Sequence, residues 1–522
     1  MTAATLPDLL AKHPGAATAL IERGRNVSFA ELADESRRVA RGLQSLGVGR
    51  GDRVAIWLPN VAAWLTTFLA CAQLGAIAVS VNTRFRSHEL ADILGRSRAR
   101  VLIFWPGFKG IDFAGALSDC DPGALWLLES VVIYGADELP AALLEGKKVL
   151  SYSALASSEA LVDSSAAPDA GCAVFTTSGT TKAPKFVLHD QRTVLAHAAD
   201  VVRGFDIGND AVLLLIPPFC GVFGFCIATA ALAAGRPLVI APAWDAAEAA
   251  RDIVAHCITH ACGTDEAAAQ LLAVGDADFS RIRFFGYAAF NPAHADIVER
   301  ADARGLKLVG LYGMSEVQAL FARQDERAPV AERMLSGGRP VSPLARVRVR
   351  DPESGEVLGH GAQGELEFIA PSSRMVGYLG DDEATRKAIT EDGWFRSDDL
   401  GTTLADDRFV FLARMGDALR LGGFLVSPAE IEAVVQEAPG IAACQVVGVP
   451  RPGGLAPVGF VLLKENAKLD EQGAIAFVAA RLARYKVPLR LFPVDAFPVT
   501  PGANATKIQK GKLRELAEAL VH

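Results

Sequence analysis

The stretch FTTSGTTKAPKF, residues 175–186, gathers hydroxyls, one glycine and two lysines directly after an apolar run. Thr177, Ser178, Thr180 and Thr181 offer hydroxyl donors, Gly179 a flexible backbone, and Lys185 an ammonium group. That mixture suits a ligand rich in anionic oxygens, because exposed N–H groups and cations can wrap a phosphate chain. An apolar segment, KFVLH, follows, so the loop joins strand to strand and is not a Walker loop, which opens a helix with Gly-Lys-Ser/Thr. Read alone, the loop is equally a polar surface turn. Four more stretches carry reactive side chains: GLYGMSE (310–316), GWFRSDDLG (393–401), ARMGDALRLGGFLVSPAEIE (413–432) and PVTPGANATKIQKGKL (498–513). They supply an aromatic residue beside a glycine and a carboxylate, two adjacent carboxylates, a glycine-rich turn before a helix start, and a lysine-bearing tail.

The elements that must hold these groups alternate along the chain. Ser28 and Glu31 form a capping box for a helix through Leu32, Val39, Leu43 and Leu46. Apolar runs at 54–58, 76–81, 100–105, 131–135, 172–177, 211–216, 237–241, 281–287 and 306–313 read as strands between amphipathic helices, a parallel α/β arrangement covered on both faces. Beyond about residue 340 the runs become short and alternating, as in a smaller antiparallel sheet. Ser427 is expected to cap a helix with Pro428 in its first turn and Glu430 completing the box. The boundary falls at Arg414–Asp417, giving residues 1–415, with the antiparallel part at about 340–415, and 416–522. The 522 residues carry a net charge of −8, which argues against a general nucleic-acid or anionic-membrane surface. The uncharged stretch 211–235 is long enough to cross a bilayer, but Pro217-Pro218 and two glycines break it into a strand, a loop and a buried helix. The N-terminus has no signal-peptide pattern, and the eight cysteines fit reduced, buried thiols in a cytoplasmic protein. His256, Cys257, His260 and Cys262 match no usual zinc spacing, and their apolar neighbours point to core packing.

In this order and at these distances the five stretches, with GDRVAIWLPN and LGAIAVSVN near the start, resemble the adenylate-forming superfamily, in its acyl-CoA and aryl-CoA synthetase branch. The resemblance spans nearly the whole chain. It implies a large N-terminal domain of two covered, mostly parallel sheets with a small β-barrel-like subdomain, and a small mobile α+β C-terminal domain. It implies activation of a carboxylic acid by ATP and Mg²⁺ to an acyl-adenylate, followed by transfer to coenzyme A. By similarity Thr177 to Thr181 and Lys185 close over the β- and γ-phosphates, Tyr312 stacks on adenine, and Ser315 touches a phosphate. Glu316 ligates Mg²⁺, Asp399 accepts from both ribose hydroxyls, Arg414 supports the same sugar, and Ala288 and Gly313 complete the nucleotide set. Lys507 matches the adenylation lysine; Gly416 and Asp417 match the hinge, and Gly422 and Gly423 the turn beside which pantetheine enters.

The chain departs from the family's pattern in five places. Lys182 replaces a glycine of the phosphate loop, Thr506 precedes Lys507 where glycine is usual, and Ser397-Asp398-Asp399 replaces Thr-Gly-Asp. Gly416 stands where the hinge is more often charged, and Cys220-Gly221 where an aromatic or histidine gate is usual. The acyl pocket is expected around Phe219, Cys220, Gly221, Tyr287, Leu311 and Val317, and the bulk of Tyr287 and Leu311 points to a small aryl or short-to-medium acyl acid. Two rivals remain: an adenylating enzyme that loads a carrier protein, and a non-catalytic nucleotide-binding regulator. A homodimer is left open.

Overall fold

The computed structural model describes residues 3–136, 143–177, 184–290, 294–421, 424–451, 454–482, 484–501 and 506–521. Among these, a fourteen-stranded and an eight-stranded sheet make up most of the molecule. The eight-stranded sheet is parallel from Gly171–Thr176 across to Lys148–Ser151, and its other edge is the antiparallel strand pair Phe186–Asp190 and Gly377–Tyr378. In the fourteen-stranded sheet the run from Thr18–Glu22 to Leu308–Tyr312 is parallel. Beyond Tyr312 it continues as antiparallel strands, through Ala322–Arg323 and Gly337–Pro340 to Phe409–Arg414 and Phe395–Thr403. The short alternating strands after residue 340 are therefore hydrogen-bonded to the large sheet.

The largest core lies between the two sheets. It joins Val54, Ile56, Cys172 and Phe175 of one to Leu213, Leu238, Phe284 and Leu311 of the other. The helices Ala62–Leu74 and Val222–Ala234 lie in this layer, nearly every residue buried. That position explains the uncharged stretch 211–235, since a helix enclosed on all sides needs no polar face. Among the described residues no helix is long and apolar enough to cross a membrane.

The helix Phe29–Ser45 starts with the expected box, Ser28 and Glu31 exchanging hydrogen bonds. The expected box at Ser427 is not formed. The helix Pro428–Gln436 begins there, but the Ser427 hydroxyl donates to the Leu412 carbonyl at 3.1 Å and Glu430 pairs with Lys486. Each side chain is taken up by a tertiary partner instead of the local cap. His260 packs as expected, with Nε2 on the Phe205 carbonyl at 3.0 Å, whereas Cys257 is exposed and not a core residue. Residues 419–521 hold two apolar clusters of their own.

Candidate active site

The site is built on the end of the strand Leu308–Tyr312. Gly313 follows, and a Cβ there would lie 2.6 Å from Ala319 Cα, so the chain can turn back on itself only without a side chain. A single 3₁₀ turn, Ser315–Val317, presents Glu316, and Gln318 and Leu320 take left-handed backbone angles of φ 62° and 63°. Hydrogen bonds from outside hold this unusual path. His189 Nε2 meets the Ser315 carbonyl at 2.8 Å, His197 Nε2 meets the Ala319 carbonyl at 2.7 Å, and Met375 N donates to the Glu316 carbonyl at 2.7 Å. Burial pushes both imidazoles down to about 4, so they are neutral at pH 7 and each has one N–H to donate.

Glu316 is 7 % exposed, and burial raises the proton affinity of its carboxyl. It accepts from the Tyr378 hydroxyl at 2.9 Å, and the Lys185 ammonium lies 4.5 Å over the Tyr378 ring. Thr177 and Lys185 close the neck of the hydroxyl-rich loop. Thr177 N donates to the Lys185 carbonyl at 3.0 Å, and Lys185 N donates to the Thr177 hydroxyl at 3.2 Å. Ser178, Gly179, Thr180, Thr181 and Lys182 lie outside the described residues, as do Gly422 and Gly423.

A second group forms beside the first. Asp399 and Arg414 sit opposite each other on adjacent antiparallel strands, and their side chains pair at 2.9 Å. The Tyr312 hydroxyl donates to Asp399 Oδ2 at 2.6 Å. Burial pushes the Asp399 carboxyl up to about 6, against the Arg414 charge and the Tyr312 hydrogen bond, which favour its ionised form. The Tyr312 ring is packed among Phe321, Phe368, Phe409 and Phe411, edge-on to Phe409 at 5.0 Å. Asp398, in the usual glycine position, takes φ 60°.

The expected acyl-pocket residues fall in different apolar clusters. Phe219 and Leu311 lie in the core between the sheets, Tyr287 in a second core and Val317 in a third. Tyr287 and Leu311 therefore do not form one wall. Side chains alternate along a strand, and Tyr287 turns to the far face, where its hydroxyl donates to the Met334 carbonyl at 3.1 Å. The residue beneath Leu311 is Gly286, where an added Cβ would lie 2.7 Å from Leu311 Cδ1. Phe219 stacks on Trp64 at 5.2 Å, and Asn60 fixes its loop by accepting from Phe219 N at 2.7 Å and donating to the Pro217 carbonyl. Burial pushes the Cys220 thiol up to about 12, so it stays protonated; Gly221 follows as the N-cap of Val222–Ala234. Ala288 ends the strand Phe284–Ala288. Gly416 and Asp417 form a 3₁₀ turn after Arg414. Lys507 lies in the hairpin strand Thr506–Ile508, in register with Thr500.

Two side chains at the centre of this arrangement escaped the reading of the sequence. Tyr378 comes from MVGYLG, which carries no charge to draw notice. His189 was visible only as a histidine in an apolar strand. Its signal was that a strand beside the hydroxyl-rich loop had a polar residue on a buried face.

Comparison with known proteins gives the family. The AMP-binding enzyme profile matches residues 8–379, and that of the AMP-binding enzyme C-terminal domain matches residues 430–503. A feruloyl-CoA synthase of Amycolatopsis sp is 32% identical over 505 residues, covering 95% of each chain. A (methyl-dioxo-octahydroindenyl)propanoyl:CoA ligase of Mycobacterium tuberculosis is 34% identical over 513 residues, covering 96% of each. The crystal structure of ATP-bound MatB from Rhodopseudomonas palustris has the same fold, with a TM-score of 0.83 at 24% identity and full coverage of both chains.

Proposed function

We propose that this chain, which belongs to the AMP-binding enzyme family and is an AMP-forming acid–CoA ligase, takes a small aryl or short-to-medium-chain carboxylic acid. The observation that carries the substrate reading is Leu311, which packs directly on Gly286 and occupies the face between the sheets on the side of Phe219. The relatives named above are a feruloyl-CoA synthase and a ligase of a bicyclic propanoate, so ring-bearing acids belong in any substrate panel.

In this reading the acid's carboxylate oxygen attacks the α-phosphorus of ATP. The bond to the bridging oxygen breaks, and pyrophosphate leaves with its electron pair. Two anions must be brought together, so fixed cations and donors offset their repulsion and the charge developing on the phosphoryl oxygens. Thr177–Thr181 and Lys185 hold the β- and γ-phosphates, and Ser315 donates to a phosphate. Asp399, kept ionised at neutral pH beside Arg414, accepts from the ribose hydroxyls. The Tyr312 ring would stack on adenine; Ala288 and Gly313 border the base. Lys507 neutralises the phosphoryl oxygens during attack. CoA sulfur then attacks the acyl carbon, and AMP leaves.

Mg²⁺ fits the site as a companion of ATP. Among the described residues no cluster of three or more His, Cys, Asp or Glu could hold a metal, whereas Glu316 is a single hard oxygen donor near the phosphate loop. One or two carboxylates completed by substrate phosphates is the usual protein provision for Mg²⁺, which supplies charge neutralisation when bound.

Residues 1–415 form the body in this reading, and residues 416–522 a lid that turns near Gly416, bringing Lys507 up for the first step and Gly422–Gly423 for the second. One observation supports this: residues 419–521 carry apolar clusters of their own.

The test is product analysis. The full chain is incubated with a panel of acids, Mg²⁺, ATP and CoA, and acyl-CoA and AMP are measured by mass spectrometry. Benzoate- to cinnamate-sized or C4–C8 acids should give both products in equal amounts. Pyrophosphate release without acyl-CoA would favour a carrier-loading enzyme. Faster turnover of a C16 acid would refute the substrate class.

A further inference from the structure

One buried side chain touches both of the groups assigned above to the phosphates and their cation. Tyr378 is 5 % exposed and lies on the short strand Gly377–Tyr378, in register with Val187 of the strand that leaves the phosphate loop. Its backbone is fixed: Tyr378 N donates to the Thr385 hydroxyl at 2.8 Å, and Leu379 N donates to the Phe186 carbonyl at 2.8 Å. Its hydroxyl donates to Glu316 Oε1 at 2.9 Å, while its ring seats the Lys185 ammonium at 4.5 Å. The backbone at 375 also holds the Glu316 carbonyl, so one segment grips that residue at main chain and side chain.

The two contacts differ in kind. The hydrogen bond commits one carboxylate oxygen and fixes the rotamer of Glu316. The ring face attracts Lys185 without neutralising it, so the ammonium keeps its full charge for an incoming anion. Lys185 and Glu316 have opposite charges and a common neighbour. With the tyrosine between them, each is held without being consumed by the other in an ion pair.

We propose that Tyr378 is a positioning residue of the nucleotide site, holding the phosphate-loop lysine and the cation carboxylate poised and apart. The proposal rests on the reading of Glu316 and Lys185 given above. It assigns the hydroxyl to the cation and the ring to the phosphates, and two substitutions separate these. Tyr378→Phe keeps the ring and removes the hydroxyl; Tyr378→Leu removes both.

The test uses the full chain without acid, so that no turnover occurs. Mn²⁺ affinity is read by electron paramagnetic resonance at saturating ATP, and ATP affinity by calorimetry in EDTA. Tyr378→Phe should weaken Mn²⁺ binding about 3- to 10-fold, the value of one lost hydrogen bond, and leave ATP affinity in EDTA within about twofold. Tyr378→Leu should weaken Mn²⁺ binding likewise and ATP binding in EDTA by about 2- to 5-fold, the value of an exposed cation–π contact. Unchanged Mn²⁺ binding in Tyr378→Phe would overturn the proposal, as would equal weakening of both affinities in both variants. A double-mutant cycle of Tyr378→Phe with Glu316→Gln guards against general loosening: the effects on Mn²⁺ binding should not add, and additivity would overturn the proposal. If the unsubstituted protein binds no Mn²⁺ with ATP, the assignment of Glu316 itself falls, a result distinct from failure of the tyrosine's role.

Discussion

The Tyr312 hydroxyl donates to Asp399 across 87 residues of chain, at 2.6 Å, and both partners are buried. This bond ties the end of a parallel strand to the antiparallel part of the same sheet, and it holds the carboxylate assigned to ribose. Tyr312→Phe keeps the ring in its aromatic cluster but leaves the buried carboxylate one donor short. It should lower unfolding stability by about 1–3 kcal/mol, read by urea titration, and weaken AMP binding.

Asp399 also sets a pH dependence. Burial holds its carboxyl at about 6, above the usual carboxylate range, and in the proposed role ribose hydroxyls would donate to the ionised form. AMP affinity should therefore fall as pH is lowered through 6, by up to about tenfold per pH unit if only the carboxylate binds. The contribution of this group to stability runs the opposite way. Its folded value is raised, so that contribution is full below the unfolded value near 4 and is lost as pH rises through about 6. Asp399→Asn should flatten the AMP profile, measured by calorimetry between pH 5 and 8.

Asp398 occupies the left-handed region, where glycine is the family's usual residue. It also adds a negative charge beside Asp399. Asp398→Gly should gain roughly 1 kcal/mol or less, because aspartate tolerates this region better than most residues. It should also move the midpoint of the AMP pH profile downward. A stability loss in thermal melts would show that the Asp398 side chain contributes more than its backbone strain costs.

Leu311→Gly should open the face beside Gly286. Each methylene of longer acids that enters is worth about 0.8 kcal/mol, so kcat/KM should shift toward longer or bulkier acids. Emptying a site that is 4 % exposed should cost stability in the range of about 2–5 kcal/mol, read by denaturant unfolding.

Lys507→Ala should separate the half-reactions. Adenylate formation should drop by about a hundred- to a thousand-fold, the usual loss for one preorganised donor. Conversion of supplied acyl-AMP and CoA to acyl-CoA should persist, measured by chromatography. Equal loss of both steps would remove the lysine from its assigned role.

Much of this was legible because strands buried on both faces leave continuous apolar runs, as at 54–58 and 172–177, and because charged site residues cluster in short motifs. What was not legible depended on facing. Tyr287 and Leu311 are both bulky and near the pocket in sequence terms, yet the pleat sends Tyr287 to the Met334 carbonyl. The Ser427–Glu430 pattern is a sound local signal that lost to two tertiary partners, Leu412 and Lys486. Tyr378 and His189 carry no charge at neutral pH, and their importance comes only from what they touch after folding, Glu316 and the Ser315 carbonyl.

In the proposed first step a single site joins a carboxylic acid to the α-phosphate of ATP. Acid-dependent exchange of labelled pyrophosphate into ATP reads that step without CoA, carrier or downstream steps. Exchange should require a small aryl or C4–C8 acid and collapse in Lys507→Ala and Glu316→Gln. Absence of exchange with every acid in a broad panel, by a folded protein that binds ATP, would contradict it.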